Sequence, residues 1–157
     1  VAVVAWLTLV GCSSPNEDQS TRQDGVIVDG GRVGVNRLQT GDCFDDVDPS
    51  TLSDEFSEIE AVDAKPCTAA HTYEVYYLGA LPDSDFPGEQ AVNQQVDGQC
   101  LALFESYVGI EYDASMLDYS FIFPSAESWA DGDRGYICTL YSLAGDSLQG
   151  SMRGVSR

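Results

Sequence analysis

The sequence predicts an α+β fold: an antiparallel sheet of about four to five strands, with one main helix packed on it and two disulfides as staples. Three observations carry this expectation. In HTYEVYYLGAL (71–81), Tyr73, Val75 and Tyr77 alternate with Glu74 and Tyr76, and RGYICTLYSLAG (134–145) sets Tyr136, Cys138 and Leu140 on one face; both have the period of two of a half-buried strand. Between them, Val92, Val96, Cys100, Leu103, Phe104 and Tyr107 trace a single apolar stripe at helical spacing. Five cysteines are present, and none forms the short C-x-x-C pairs that a four-cysteine metal site needs.

The elements follow in order. GRVGVNRLQTGDCF (31–44) reads as a first strand with Val33 and Val35 on one face, closing on a Gly41–Asp42 turn. The acidic, turn-rich run from Asp45 to Glu58 reads as a surface loop, and IEAVDAKPC (59–67) as a second short strand leading into Cys67. After the strand at 71–81, LPDSDFPG breaks the chain with two prolines and a glycine. The helix comes next, with Gly98 as a weak point costing about 1 kcal/mol relative to alanine. LDYSFIFP (117–124) is a strand stopped by Pro124; Ser125 is placed to cap a short helical turn carrying Trp129, and the 134–145 strand closes the domain.

The start of the chain has a different character. VAVVAWLTL is too short to span a bilayer, which takes about 20 residues, but it suits the hydrophobic region of an export signal. Leu9-Val10-Gly11-Cys12 directly after it resembles the lipobox of bacterial lipoproteins, in which the signal is cut before the cysteine and the sulfur takes a diacylglyceryl group. Residues 1–11 are therefore expected to be a removable signal peptide, 12–31 a lipidated Cys12 followed by a flexible acidic tether, and 32–157 the folded domain. VIV at 26–28 is either a small edge strand or nothing. Export places the chain where disulfides persist. With Cys12 acylated, Cys43, Cys67, Cys100 and Cys138 make two bridges; of three pairings, Cys43–Cys67 joins the ends of the first two strands and Cys100–Cys138 staples helix to sheet.

Charge narrows the function classes. The chain has 26 acidic and 7 basic residues, for a net charge of -19, and a surface of that sign repels phosphate backbones. Nucleic-acid binding is disfavoured, as is a basic amphipathic helix lying on an anionic membrane.

Several stretches taken together resemble a known family. GDCF (41–44), PCTAAHTYEV (66–75), Cys100 in the helix, PSAESWADGDRGYIC (124–138) and LQGSMRG (148–154) are similar, in order and spacing, to the septum formation domains of actinobacterial envelope proteins. The resemblance covers nearly the whole domain, from about Leu38 to Gly154. It implies an extracytoplasmic, disulfide-containing protein attached to a membrane anchor, with a link to cell division but no reaction or ligand.

His71, the sole histidine, forms H-x-x-E with Glu74. Three residues apart on a strand, the two would point to opposite faces, so they make poor metal ligands unless His71 sits in the preceding loop. The favoured reading has His71 fixing the turn after Cys67 by hydrogen bonding. In W-A-D-G-D-R, Trp129, Asp131, Asp133 and Arg134 form either a ligand corner or a turn at Gly132 with internal pairing and Trp129 in the core; Arg134 is the best anchor for an anionic ligand. The carboxylates Asp42, Asp45, Asp46, Asp48, Asp54 and Glu55 lack the central glycine and final glutamate of a calcium loop. No G-x-S-x-G elbow, H-E-x-x-H or P-loop occurs in the sequence.

The expectation is thus a non-enzymatic binding module, lipid-anchored on the extracytoplasmic face of the plasma membrane. It needs no cofactor or metal, and its partner is an envelope protein or a peptidoglycan-associated molecule. Ligand-binding candidates are Trp129, Asp133, Arg134, His71 and Glu74, and the tyrosines Tyr73, Tyr76, Tyr77, Tyr107, Tyr112 and Tyr119 suit partner contact where exposed. Two other classes stay open: a cell-wall hydrolase using paired carboxylates, and a metal-dependent sensor using His71 and Glu74.

Overall fold

A computed structural model describes residues 18–46 and 59–157. Cys12, the signal segment and most of the acidic loop lie outside the described residues. Within them the order is β1 (Thr21–Gln23), β2 (Val26–Asp29), β3 (Gly31–Gly34), β4 (Cys43–Asp46), β5 (Ala61–Lys65), β6 (Tyr73–Ala80), α1 (Glu89–Val108), β7 (Leu117–Ile122), α2 (Ala126–Ala130) and β8 (Gly135–Ser142). β3 to β8 form one antiparallel sheet in the order β3-β5-β4-β6-β8-β7, and β1 and β2 pair as a separate hairpin. The α+β class, the single main helix and both disulfides are as the sequence implies: Cys43 is bonded to Cys67, and Cys100 to Cys138.

The strand count is higher than four to five. The segment read as one strand over 31–44 is two strands that do not touch, with β5 paired between them. Local geometry interrupts it: Val35–Arg37 is a single 3₁₀ turn, and Gly41 has a φ of 94° that a side chain would resist. The folded part also begins before residue 32, its expected start. Residues 21–29 are a hairpin turning at Asp24–Gly25, and Ile27 is buried in the core beside Val33, Leu38, Phe44 and Val62. VIV is therefore a strand, with only its central residue inward.

The sheet separates two cores. On one face α1 buries Val92, Val96, Cys100, Phe104, Tyr107 and Val108 against Tyr76, Leu117, Tyr136, Cys138 and Leu140, while Leu103 is only half-buried. On the other face lie Val33, Phe44, Val62, Ala64, Val75 and Ile137. Full burial of side chains of this kind contributes about 1.5–3 kcal/mol each. A bulge between Val75 and Tyr77 breaks the alternation in β6, so Glu74, Val75 and Tyr76 are all buried. Gly109 ends α1 in the left-handed region at φ 90°, its N–H bonded to the Glu105 carbonyl. Ser125 caps α2, accepting the Ser128 N–H as its position predicts.

Candidate functional site

Among the described residues the candidate side chains fall in two places. The first surrounds Glu74 and His71, both wholly buried. Glu74 lies opposite Cys43 in the β4–β6 register and Leu140 in the β6–β8 register. Three donors hold its carboxylate: Oε1 accepts the hydroxyls of Tyr107 and Ser151, each at 2.6 Å, and Oε2 accepts the Met152 N–H at 2.6 Å. A buried carboxylate needs such donors to remain charged without a large desolvation cost. Burial, and then the bond to Glu74, push the Tyr107 hydroxyl well above its ordinary pKa. The Arg153 guanidinium covers the Tyr107 ring at 4.4 Å.

His71 is in the loop before β6, where it exchanges both backbone bonds with Leu148 (3.1 and 2.7 Å). Its Nδ1 lies 2.9 Å from the Ala69 carbonyl, so the turn-fixing role expected for it is present. The loop placement also removes the objection of opposite faces. A ring nitrogen of His71, a carboxylate oxygen of Glu74 and Cys43 Sγ lie within 4.8 Å of one another. Among the described residues His71 Nε2, which is buried, has no hydrogen-bond partner. With Gly150 N–H on the Cys67 carbonyl at 2.7 Å, His71, Glu74 and Cys67 together clasp the C-terminal segment 148–152 to the sheet.

Beside this clasp, Asp42 is 4% exposed and holds Arg22 through two bonds of 2.6 Å while accepting the Gln39 N–H at 2.7 Å. The pair fixes the β1–β2 hairpin onto the domain, and the Asp42 bond raises the Arg22 pKa. Asp42 read as a loop carboxylate in the sequence. Its position three residues after Gln39, typical of a side-chain-capped turn, was the available signal. Asp45 and Asp46 belong to β4 instead of the loop; Asp45 pairs with Lys65 and accepts the Thr72 N–H at 2.6 Å.

The second place is the corner at the far end of the β6–β8 pair. The Arg134 guanidinium lies 4.0 Å above the Trp129 ring, donates to the carbonyls of Trp129 (2.8 Å) and Asp133 (2.7 Å), and reaches the exposed Asp83 at 3.1 Å. Trp129 is buried, its indole N–H on the Ser84 carbonyl at 3.0 Å. Asp133 accepts the Gly135 N–H at 2.9 Å around a turn in which Gly132 has a φ of 95°. These contacts match the internal-pairing alternative for W-A-D-G-D-R. The corner and the clasp do not converge: Ala80 faces Gly135 and Glu74 faces Leu140, six residues apart along β6, or about 20 Å.

The tyrosines divide. Tyr76 and Tyr107 are buried, whereas Tyr73, Tyr77, Tyr112 and Tyr119 are half-buried. Tyr119 and Phe121 of β7, with Tyr112 from the 3₁₀ turn before it and Phe123 just after it, form a chain of ring contacts with centroids 5.2, 6.5 and 5.9 Å apart. β7 is an outer strand of the sheet, and these half-buried rings pack there against the margin of the helix-side core. Aspartates anchor its hydroxyls: Tyr112 donates to Asp118 and Tyr119 to Asp97, each at 2.7 Å.

Comparison with known proteins agrees with the sequence motifs. The model of the family described as septum formation matches residues 40–155. Proteins named "Putative lipoprotein LppN" from Mycobacterium tuberculosis (strain ATCC 25618 / H37Rv) and Mycobacterium bovis (strain ATCC BAA-935 / AF2122/97) are each 30% identical over 119 residues. The match takes in 74% of this chain and 62% of each relative's length, so a good part of the relatives lies outside it. No solved structure matches the chain. No helix among the described residues is long and apolar enough to cross a membrane.

Proposed function

The chain belongs to the septum formation family, and from that premise we propose that it is a lipid-anchored, non-enzymatic binding module of the cell envelope, acting on the extracytoplasmic face of the plasma membrane during septum formation. Cys12 is the acylated residue in this reading, and similarity to proteins named as lipoproteins supports it. The observation that carries the binding role is the row Tyr112–Tyr119–Phe121–Phe123 at β7. Half-buried aromatic side chains on an outer strand offer large contact area at small entropic cost, with backbone groups for an added strand. The acidic rim and the net charge of -19 favour a partner segment of positive charge. Such a segment belongs to an envelope protein or a peptidoglycan-associated one.

Glu74, His71 and Asp42, the buried acid and base groups, are occupied in holding the fold together. A wall hydrolase would draw on paired carboxylates open to substrate, so this use of Glu74 and Asp42 favours the binding reading. Affinity capture on the mature chain, comparing wild type with a Phe121→Ser/Phe123→Ser double variant that keeps its far-UV circular dichroism, tests the proposal. Enrichment of one envelope protein that weakens with salt and is lost in the variant is expected. Equal recovery by both chains would refute the β7 edge as the binding surface.

A further inference from the structure

The Cys43–Cys67 bridge is asymmetric. Cys43 is wholly buried, while Cys67 is half-buried in a loop whose next three residues, Thr68, Ala69 and Ala70, are exposed. Both partners of the Cys100–Cys138 bridge lie in the interior between α1 and β8. The open side of the bridge is therefore the Cys67 side, and a thiolate attacking Cys67 Sγ expels Cys43 Sγ inward. That sulfur emerges beside His71 and Glu74, the donor atoms of all three residues lying within 4.8 Å of one another.

His71 is prepared as a ligand. Because the Ala69 carbonyl can only accept, Nδ1 carries the hydrogen and Nε2 keeps its lone pair, which is buried and has no partner among the described residues. A backbone carbonyl fixing the tautomer in this way is the usual support behind a metal-bound histidine. Glu74 is likewise oriented, by Tyr107, Ser151 and the Met152 N–H, with one acceptor position on Oε2 left over. Donors around tetrahedral zinc lie roughly 3.3–3.7 Å apart, so a contraction of about 1 Å by a side chain freed from its disulfide suffices. Thiolate, carboxylate and Zn²⁺ sum to zero charge, which removes the cost of burying them separately.

We propose that reduction of the Cys43–Cys67 disulfide by a dithiol opens a buried zinc site made of Cys43 Sγ, His71 Nε2 and Glu74 Oε2. One thiolate of the dithiol bonds to Cys67 Sγ, and the S–S bond breaks with its electron pair passing to Cys43. The second thiol of the reductant then displaces Cys67. The protein disulfide gains two electrons and two protons, and the dithiol becomes a cyclic disulfide. Zinc takes the Cys43 sulfur as thiolate, releasing its proton to solvent, and water fills the fourth position.

The test uses the full chain, oxidised or treated with a phosphine reductant under native conditions, with zinc alone as the probe. Mass mapping of alkylated cysteines should find Cys43 and Cys67 labelled and Cys100–Cys138 intact. The reduced chain, still folded by circular dichroism, should retain one zinc ion after desalting, and the oxidised chain none. Cobalt in place of zinc should give a thiolate-to-metal charge-transfer band. Cys67→Ser should bind zinc without reductant, and the shape-preserving His71→Gln should abolish uptake by the reduced chain. Reduction of Cys100–Cys138 first, unfolding on reduction, or a folded reduced chain without metal would each overturn the proposal, as would a Cys67→Ser chain that takes up no zinc.

Discussion

Tyr107, in the last turn of α1, donates its hydroxyl to Glu74 of β6 at 2.6 Å, and the same carboxylate oxygen takes the Ser151 hydroxyl. One buried side chain thus ties helix, sheet and C-terminal segment together. Hydrogen bonds to a charged group contribute about 1.5–3 kcal/mol. Tyr107→Phe should lower the unfolding free energy by about that amount, read as a lower urea midpoint with an unchanged slope. Glu74→Ala should cost more, because it strands the Met152 N–H as well.

Arg22 and Asp42 make the corresponding tie at the N-terminal end. Breaking a buried ion pair from one side costs about 3–5 kcal/mol, because the other charge is left without compensation. Arg22→Ala should therefore destabilise the domain in that range. Amide exchange should rise first in the β1–β2 hairpin, with the β6–β8 ladder still protected.

These two ties show what the sequence could and could not reveal. The strands at 71–81 and 134–145 and the helix were legible because their apolar residues repeat at the period of the element, and the disulfides because strand ends and helix face placed the cysteines. The separation of β3 from β4 was hidden, since a 3₁₀ turn over Val35–Arg37 leaves little mark on a run of mixed polarity. The hairpin was hidden too, because two strands of three and four residues with one buried side chain look like a polar tether. At the site, the His71 turn contact was legible from its position after Cys67. The partners of Glu74 were not, since Tyr107 and Ser151 lie 33 and 77 residues away and only the fold brings them in.

Asp46 works against the native state. Burial first, and then the neighbouring Asp45 charge, raise its pKa above the usual aspartate value, so the folded protein holds the proton more tightly than the unfolded chain does. Its ionisation therefore disfavours the fold, with no effect below both pKa values and the full effect above the folded one. Asp46→Asn should stabilise the domain at neutral pH in thermal melts, and the gain should vanish as the pH falls below about 3.

The tyrosines set an alkaline limit. Burial raises the pKa values of Tyr76, Tyr107 and Tyr119, joined at Tyr107 and Tyr119 by the bonds to Glu74 and Asp97, and the Asp118 bond pushes Tyr112 up to about 12. Unfolded tyrosine ionises near pH 10, so stability should be intact below that pH and fall as the pH rises through it. An ultraviolet titration should show a late, cooperative phenolate step coinciding with loss of structure.

Gly79 lies opposite Tyr136 in the β6–β8 register, and a Cβ there would collide with the Tyr136 ring. Gly79→Ala should displace that ring and cost about 1–3 kcal/mol, the range for overpacking a filled site. Near-ultraviolet circular dichroism, which reports aromatic packing, should change along with the denaturation midpoint.

Photo-crosslinking in living cells tests the binding role most directly. A photoreactive residue at Ser120, exposed in the middle of β7, is compared with one at the exposed Asp146 beyond β8. The account predicts a discrete adduct with one envelope protein from Ser120, confined to the membrane fraction and missing from Asp146. Equal adducts from both positions, or none from Ser120 with the chain folded and at the membrane, would contradict it.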